Sequence, residues 1–103
     1  LKKLKVYSGF LRAYFESYWI ALNFFMRFTQ NSVDPKDRLK KIQSVGNRMF
    51  KRNEIELKEA LSKVNYENAV GYFTSNGVKG QENNEKIEFY ADEIQKYLNC
   101  LSP

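Results

Sequence analysis

The chain has 103 residues, a net charge of +5 and no histidine. It is long enough for one small domain with a modest core, and the lack of imidazole excludes catalysis or metal binding through histidine. Its single cysteine, Cys100, cannot form an internal disulfide, fits a reducing compartment and leaves no cluster for structural zinc.

Charge is divided unevenly along the chain. Residues 1–52 carry twelve Lys or Arg and three Asp or Glu, a net +9, whereas residues 53–103 carry five and nine, a net −4. Such a split favours an anionic partner for the basic half, or attraction between the two halves. The simpler interpretation is that each charge lies on a solvated helix face, where an isolated charge contributes little to stability.

The first predicted element is a long, aromatic-rich helix from Leu4 to about Thr29. It contains no proline, and its only glycine, Gly9, lies near the start. Its nearly continuous apolar run, residues 18–28, is about half of the roughly 20 residues that a membrane span requires, so a transmembrane helix is not expected. Apolar side chains recur at spacings of three and four residues at Tyr7, Leu11, Tyr14, Phe15, Tyr18, Leu22 and Phe25.

A second helix is predicted to begin at Pro35, with Asp34 as its N-cap and Asp37 near its positive end, and to stop near Asn53. Lys and Arg occupy most positions outside its apolar stripe, so this helix should present a basic face. The stripe that should be buried consists of Leu39, Ile42, Val45, Met49 and Phe50.

Shorter elements are predicted after the second helix. Residues 54–57 alternate between polar and apolar, which favours a short strand or an extended segment. Helices are then expected over residues 58–64 and 67–75, with Asn65 as the break between them. Gly77 should end the second of these helices.

The last predicted helix runs from a cap at Asn83 or Asn84 to about Leu101. It has the most regular 3.6-residue stripe in the chain. The loop over residues 80–84 is too short to separate two domains. Together these elements predict a mainly α fold, a small domain of about five helices over residues 1–103.

Surplus aromatic rings beside cations indicate a docking surface on the first helix. Four rings, at positions 10, 19, 24 and 28, widen its stripe beyond a normal amphipathic face, and four cations precede the last three of them. Amphipathic rings with flanking cations suit a bilayer interface, and the alternative is that the rings form the core of a helical bundle. The predicted docking residues are Trp19, Phe24, Phe28, Lys2, Lys3, Lys5 and Arg12.

Residues 54–78 also follow the order of a helix-turn-helix, with a wing strand beginning near Val78. A recognition helix requires cations for phosphate contacts, yet Tyr66–Asn76 contains no Lys or Arg. Packing is therefore favoured over DNA binding. A winged-helix-type nucleic-acid-binding or regulatory module is the alternative function.

No catalytic constellation is found in the sequence. The carboxylates do not form an acid–base pair in an apolar pocket, and neither G-x-S-x-G nor a phosphate-binding glycine loop is present. No serine has a base to activate it. No catalytic, cofactor-binding or metal-ligating residue is expected, and no cofactor.

Two stretches resemble a known family. FLRAYFESYWIAL, Phe10–Leu22, resembles the Phe/Glu/Ser/Tyr-rich helix in the C-terminal region of membrane-bound glycerol-3-phosphate and dihydroxyacetone-phosphate acyltransferases. RNEIELKEALSKVNYENAVGYFTSNGV, Arg52–Val78, is similar to that region's pattern GEI…EALS…NA…F…GV, with Asn53 in place of its first glycine.

The resemblance implies a piece of a larger enzyme. In that family the catalytic domain transfers an acyl group from acyl-CoA or acyl carrier protein to a phosphorylated three-carbon acceptor, through a His-x4-Asp motif. This chain has no histidine, so no catalytic residue carries over.

The expected function is that of a non-catalytic C-terminal helical region of such an acyltransferase in phospholipid biosynthesis. It would be a fragment of a longer cytoplasmic chain that packs on the catalytic domain or helps to seat it on an anionic membrane surface. A lipid-binding helical domain that is independent of any enzyme is a third hypothesis.

Overall fold

The computed structural model describes residues 2–28 and 33–101, with side chains from residue 11 onwards except at position 35. Four α-helices and one 3₁₀ turn account for most of this part of the chain, and no strand occurs within it. The fold is therefore mainly α, as predicted, with four α-helices and a 3₁₀ turn in place of about five helices. The elements are α1 (Lys2–Arg27), α2 (Pro35–Lys51), the 3₁₀ turn (Lys58–Ala60), α3 (Lys63–Ser75) and α4 (Asn84–Leu101).

Helix α1 is the central element, because α2, the 3₁₀ turn, α3 and α4 all pack on it. Ile20, Ala21 and Leu22 are fully buried, and Phe24 and Phe25 nearly so. Consecutive buried residues mean that α1 is covered on more than one side over this stretch, not only along one stripe. Much of the aromatic run therefore packs against the chain's own helices.

Local signals set both ends of α2 as predicted. Asp34 Oδ1 accepts a hydrogen bond from the Lys36 N–H at 3.0 Å, and Pro35 occupies the first turn. At the other end, Asn53 adopts the left-handed conformation, with φ of 63°, which terminates the helix.

The two faces of α2 also match the prediction. Ile42, Val45 and Met49 are buried, while Leu39 and Phe50 are half-buried against the same core. The opposite face is basic. Together with the C-cap residue Arg52, the exposed cations on this face are Lys36, Lys40, Lys41, Arg48 and Lys51.

The segment between α2 and α3 differs from the prediction. Residues 54–57 are extended without forming a strand, and only Lys58–Ala60 form a short 3₁₀ turn. Helix α3 then begins at Lys63, because the Ser62 hydroxyl accepts a hydrogen bond from the Asn65 N–H and caps the helix. The prediction that Asn65 breaks a helix is wrong, since this residue lies in the first turn of α3.

The end of α3 and the start of α4 agree with the prediction. Gly77, with φ of 85°, closes α3. Asn83 accepts a hydrogen bond from the Lys79 N–H at 2.8 Å, and α4 begins at the next residue. Helix α4 contributes one buried stripe to the core that α1 and α3 share: Ile87, Ile94 and Leu98.

Candidate functional site

A buried polar junction joins α1 to the extended segment after α2. The Glu16 side chain is 1% exposed, and its two carboxylate oxygens accept hydrogen bonds from the N–H groups of Glu56 and Leu57 at 2.8 and 3.0 Å. Arg12 Nε, one turn earlier on α1, lies 3.5 Å from the same carboxylate. Because a buried carboxylate needs such partners, Glu16 fixes the place where residues 56 and 57 cross α1.

Arg12 extends the junction to the last helix. Its Nε lies 2.7 Å from a carboxylate oxygen of Glu56, and its Nη1 donates a hydrogen bond to the Leu98 carbonyl at 3.3 Å. That carbonyl belongs to the last turn of α4, where a cation interacts favourably with the helix dipole. Arg12, predicted to be a docking cation, is engaged within the chain in this structure.

Ser17 provides a third link from α1. It is fully buried, and its hydroxyl oxygen lies 2.7 Å from the Ala60 carbonyl and 2.9 Å from the Ala13 carbonyl. One hydroxyl therefore ties the 3₁₀ turn to the central helix. The polar junction, comprising Arg12, Glu16, Ser17 and Glu56, has the geometry of a structural anchor. Among the described residues, no three His, Cys, Asp or Glu side chains gather to hold a metal ion.

A surface of aromatic rings lies where α1, α3 and α4 meet. Phe15 and Tyr97 stack with ring centroids 4.7 Å apart and planes 5° from parallel. Tyr14 and Tyr18 lie 4.5 Å apart, and the Tyr14 hydroxyl donates to the Tyr18 hydroxyl at 2.8 Å. Tyr72 of α3 joins the rings of α1, since it lies 5.7 Å from Tyr18.

The α4 side of this surface is formed by a second group of rings. Tyr90 lies 5.8 Å from Tyr72 and 5.3 Å from Phe89. Between the helices the rings enclose an open groove of about 220 Å³. We call this region the ring surface and define it by Tyr14, Phe15, Tyr18, Tyr72, Phe89, Tyr90 and Tyr97.

Half of the ring surface is open to solvent. The exposed fractions are 41% for Tyr14, 45% for Tyr72, 49% for Tyr97 and 59% for Phe89. Large aromatic side chains that are contiguous and this exposed are typical of interaction surfaces.

Two phenols of the ring surface, Tyr18 and Tyr90, have a raised pKa and are uncharged at neutral pH. Burial raises the pKa of Tyr18, and its hydrogen bond and electrostatic interaction with Tyr14 raise it further. Burial also raises the pKa of Tyr90, with a smaller contribution from Tyr72. The hydroxyls can therefore donate and accept hydrogen bonds around an apolar centre, which suits binding more than acid–base chemistry.

The predicted docking rings lie mostly inside the fold. Phe24 is 3% exposed, and Trp19 and Phe28 are half-buried against the core, because α2 and α3 cover the C-terminal half of α1. The exposed rings lie instead on the α4 side. The side chains of Lys2, Lys3 and Lys5 fall outside the described part of the chain, and the docking role of all these residues stays a prediction.

Sequence reasoning missed the polar junction and the ring surface. The signal for the junction was a Glu-Ser pair placed between the apolar residues Phe15 and Tyr18. The partners of that pair lie about forty residues away, at positions 56, 57 and 60. The ring surface required the relative placement of three helices, which periodicity alone cannot supply.

The structure gives the winged-helix alternative no support. Residues 54–78 form an extended segment, a 3₁₀ turn and α3, and no strand follows Gly77 within the described residues. The only cation of α3 is Lys63, in its first turn. Among the described residues, no helix combines the length and the apolar character that crossing a membrane requires.

The family described as glycerol-3-phosphate acyltransferase C-terminal region matches residues 1–82. The match covers α1, α2, the 3₁₀ turn and α3, and it ends two residues before α4 begins. No curated protein and no solved structure matches the chain.

Proposed function

The chain belongs to the glycerol-3-phosphate acyltransferase C-terminal region family, and we propose that it is a non-catalytic helical part of such an enzyme. In this proposal the chain packs through its ring surface on the remainder of the acyltransferase. It thereby supports an acyl transfer of phospholipid biosynthesis whose reacting groups lie elsewhere.

The observation that carries the proposal is the exposure of the ring surface. Tyr14, Tyr72, Phe89 and Tyr97 come from three different helices, and each is at least two-fifths exposed. Tyrosine and phenylalanine are enriched at protein interfaces, where their apolar rings are buried. The hydroxyl of tyrosine can remain hydrogen-bonded there. A folded partner with an apolar patch would complete this surface.

The polar junction supports the same proposal, because it holds the ring surface rigid. Arg12 reaches the last turn of α4, and Glu16 fixes the segment that crosses α1. Helices that are already fixed in position lose little further freedom on binding, so more of the interaction free energy appears as affinity.

The test supplies the remainder of a family acyltransferase, lacking its C-terminal region, together with this chain. Tyr72→Ser and Tyr97→Ser should each weaken the association by at least about tenfold, because each removes a ring from the centre of the surface. Val64→Ser is the matched control, since Val64 is 64% exposed and lies outside the ring surface. Association is measured by calorimetry, and acyl transfer is measured on the same mixtures.

Two results would overturn the proposal. One is acyl transfer by this chain alone, which would make it catalytic. The other is wild-type association by both ring variants while their helical circular dichroism is retained.

A second candidate role, seating on an anionic membrane surface, is favoured by the basic face of α2. Its exposed cations have no carboxylate within ion-pair distance among the described residues. Each cation near an anionic bilayer contributes about 1 kcal/mol. In this proposal Lys2, Lys3 and Lys5 add to the same attraction.

This role is tested by sedimentation with phosphatidylcholine vesicles that contain or lack phosphatidylserine. Lys40→Glu/Lys41→Glu should lower binding to the anionic vesicles by at least about tenfold, and added salt should do the same. Lys63→Glu/Lys96→Glu has the same charge change on other helices and is the control. Equal losses of vesicle binding in the two double variants would show that only the net charge matters, and would contradict the assignment of the binding surface to α2.

A further inference from the structure

A groove between α2 and α3 lies on the opposite side of α3 from Tyr72. It consists of two adjoining cavities, of about 480 and 230 Å³. Arg38 and Thr74 line both cavities, so the two adjoin at these residues, and we call them together the groove. Gly71 leaves it open, because a Cβ placed there would meet no atom within 4 Å.

The floor of the groove is apolar. Leu39 and Val70 line the larger cavity, while Phe24 and Phe28 line the smaller one, with their ring centroids 5.0 Å apart. An alkyl chain that lies along this floor would bury one of its sides away from water. This burial of apolar surface is the driving force for its binding.

The charges along the groove are polarised. Arg38, where the cavities join, and Lys79, in the smaller cavity, have no carboxylate within ion-pair distance among the residues described. Lys36, two residues before Arg38, adds a third cation to the lining of the larger cavity, and the carboxylate in that lining is that of Glu67 on α3. Glu67 is seven residues before Thr74, a distance of about 10 Å along a helix. An anionic group is therefore attracted to the junction of the cavities and repelled by Glu67.

From this combination we propose that the groove binds one molecule of a single-chain lipid that carries a phosphate headgroup. The phosphate lies between Arg38 and Lys79, whose two positive charges match a phosphate monoester. The alkyl chain extends over Gly71 toward Glu67. The proposal concerns another face of α3 than the ring surface and does not rest on the proposed function.

The probe is decyl phosphate, kept below its critical micelle concentration and added to the whole 103-residue chain. Calorimetry measures affinity, and amide NMR shifts locate the bound molecule. Decyl phosphate should bind at least about tenfold more tightly than inorganic phosphate, which has no chain, or decyl maltoside, which has no charge. The shifts should centre on Val70, Gly71 and Thr74.

Gly71→Leu fills the groove without meeting a neighbour at its Cβ, and it should weaken decyl phosphate binding by at least about tenfold. The matched control, Asn68→Leu, adds the same side chain at an exposed position of α3 outside the groove. Arg38→Gln and Lys79→Gln should each weaken binding about fivefold through the lost charge, whereas Lys51→Gln, at the far end of α2, should leave it unchanged.

Three results would overturn the proposal: wild-type affinity in a folded Gly71→Leu variant, shifts centred on the ring surface, or equally tight binding of a hexaglutamate peptide. The last result would identify an acidic protein segment as the occupant. Gly71→Ala, a milder change, should weaken binding about twofold and still tests the groove if the leucine variant fails to fold. Association with the remainder of an acyltransferase is measured separately, so either proposal can fail alone.

Discussion

Tyr66 has a buried polar group that the described part of the core does not satisfy. The side chain is completely buried, and its hydroxyl has no hydrogen-bond partner among the described groups. Gly46 of α2 faces this hydroxyl, and a Cβ at position 46 would overlap the oxygen. The glycine therefore allows the close approach of α2 to α3 at this position.

Gly46→Ala should lower the free energy of unfolding by about 2 kcal/mol, because overpacking outweighs the better helix propensity of alanine. Tyr66→Phe removes the obstructing oxygen and an unpaired polar group, so by itself it should be neutral or stabilising by about 1 kcal/mol. Urea unfolding of both single variants and the double variant checks this. The double variant should recover most of the loss, although Leu61 Cδ2 at 3.1 Å from the new Cβ limits the recovery. Additive effects would contradict the assigned contact.

The same phenol should make stability fall at alkaline pH. Burial raises the pKa of Tyr66 above its ordinary value, which is about 10 in an unfolded chain. The contribution of this phenol to the free energy of unfolding is therefore present in full below pH of about 10. It is lost as the pH rises toward the pKa of Tyr66 in the folded chain, because only the unfolded chain releases the proton in that range. Urea midpoints measured between pH 8 and 11 should fall less steeply above pH 10 in Tyr66→Phe than in the wild type. Parallel curves would count against this role of Tyr66.

Glu16 anchors the fold through a buried carboxylate. Both carboxylate oxygens accept backbone N–H groups, so in Glu16→Gln the amide nitrogen would face a donor where an acceptor is needed. We expect a loss of about 3 kcal/mol in the free energy of unfolding. Glu56→Gln is the control, because the Glu56 side chain is 65% exposed and should lose no more than about 0.5 kcal/mol. Similar losses in the two variants would refute the anchoring role of Glu16.

At the scale of the elements, the end of α2 explains a departure from the family pattern. Asn53 stands where that pattern has glycine, and it adopts φ of 63°. The N–H groups of Asn53 and Glu54 donate to the carbonyls of Phe50 and Met49 at 3.1 and 2.9 Å. This pairing is a Schellman motif, whose left-handed residue is usually glycine and sometimes asparagine.

Asn53→Gly should therefore raise the free energy of unfolding by about 0.5 kcal/mol, because glycine adopts this conformation without steric cost. Asn53→Ala should lower it by about 1 kcal/mol. Thermal and urea unfolding of the two variants give the comparison. A stabilising alanine would show that the left-handed conformation is not maintained in solution.

Elements with local signals could be predicted from the sequence, and those set by distant contacts could not. Asp34, Gly77 and Asn53 act on their own neighbours, so the ends of α2 and α3 followed from turn and cap chemistry. Asn65 was misplaced because the cap at Ser62 outweighed its weak helix propensity. Phe24 was expected on an open edge, and it is buried because α1 is covered on more than one side.

The candidate surfaces could be predicted from the sequence only where all their residues belong to one helix. Lys36, Lys40 and Lys41 could be placed on a basic face because they belong to one helix with one apolar stripe. Tyr14, Tyr72 and Tyr97 could not be grouped, since they come from three helices whose packing depends on the whole core. The spacing of residues along one helix fixes its own face but not the neighbour that covers it.

At the scale of the whole molecule, the charge asymmetry becomes spatial. The basic face belongs to α2, whereas most of the acidic excess lies on and before α4, at positions 82, 85, 88, 92 and 93. Both helices pack on α1. Within the described residues, the ion pair of Arg12 with Glu56 joins the two halves of the sequence, and the cations of α2 form none. The basic face of α2 is therefore available to an anionic partner and is not neutralised by the acidic half.

The last prediction concerns α4, which lies beyond the residues that match the family. Ile87, Ile94 and Leu98 are buried in the same core as α1 and α3, and burying three such side chains contributes roughly 4–9 kcal/mol. That is comparable to the whole stability of a small domain, about 5–15 kcal/mol. A chain ending at residue 82 should therefore lose its cooperative urea transition and bind a hydrophobic dye.

Within the full chain, Ile94→Ala should cost about 3 kcal/mol and keep one transition for all helices. Ile94 is the best site for this test because its side chain also lines the groove of the ring surface, where α1, α3 and α4 meet. Tryptophan fluorescence reports Trp19 on α1, and circular dichroism reports all helices. Two separate transitions, or a cooperative chain of residues 1–82, would show that α4 is an appendage. A single transition for both signals would show that α4 is part of the folding unit, although the family match ends before it.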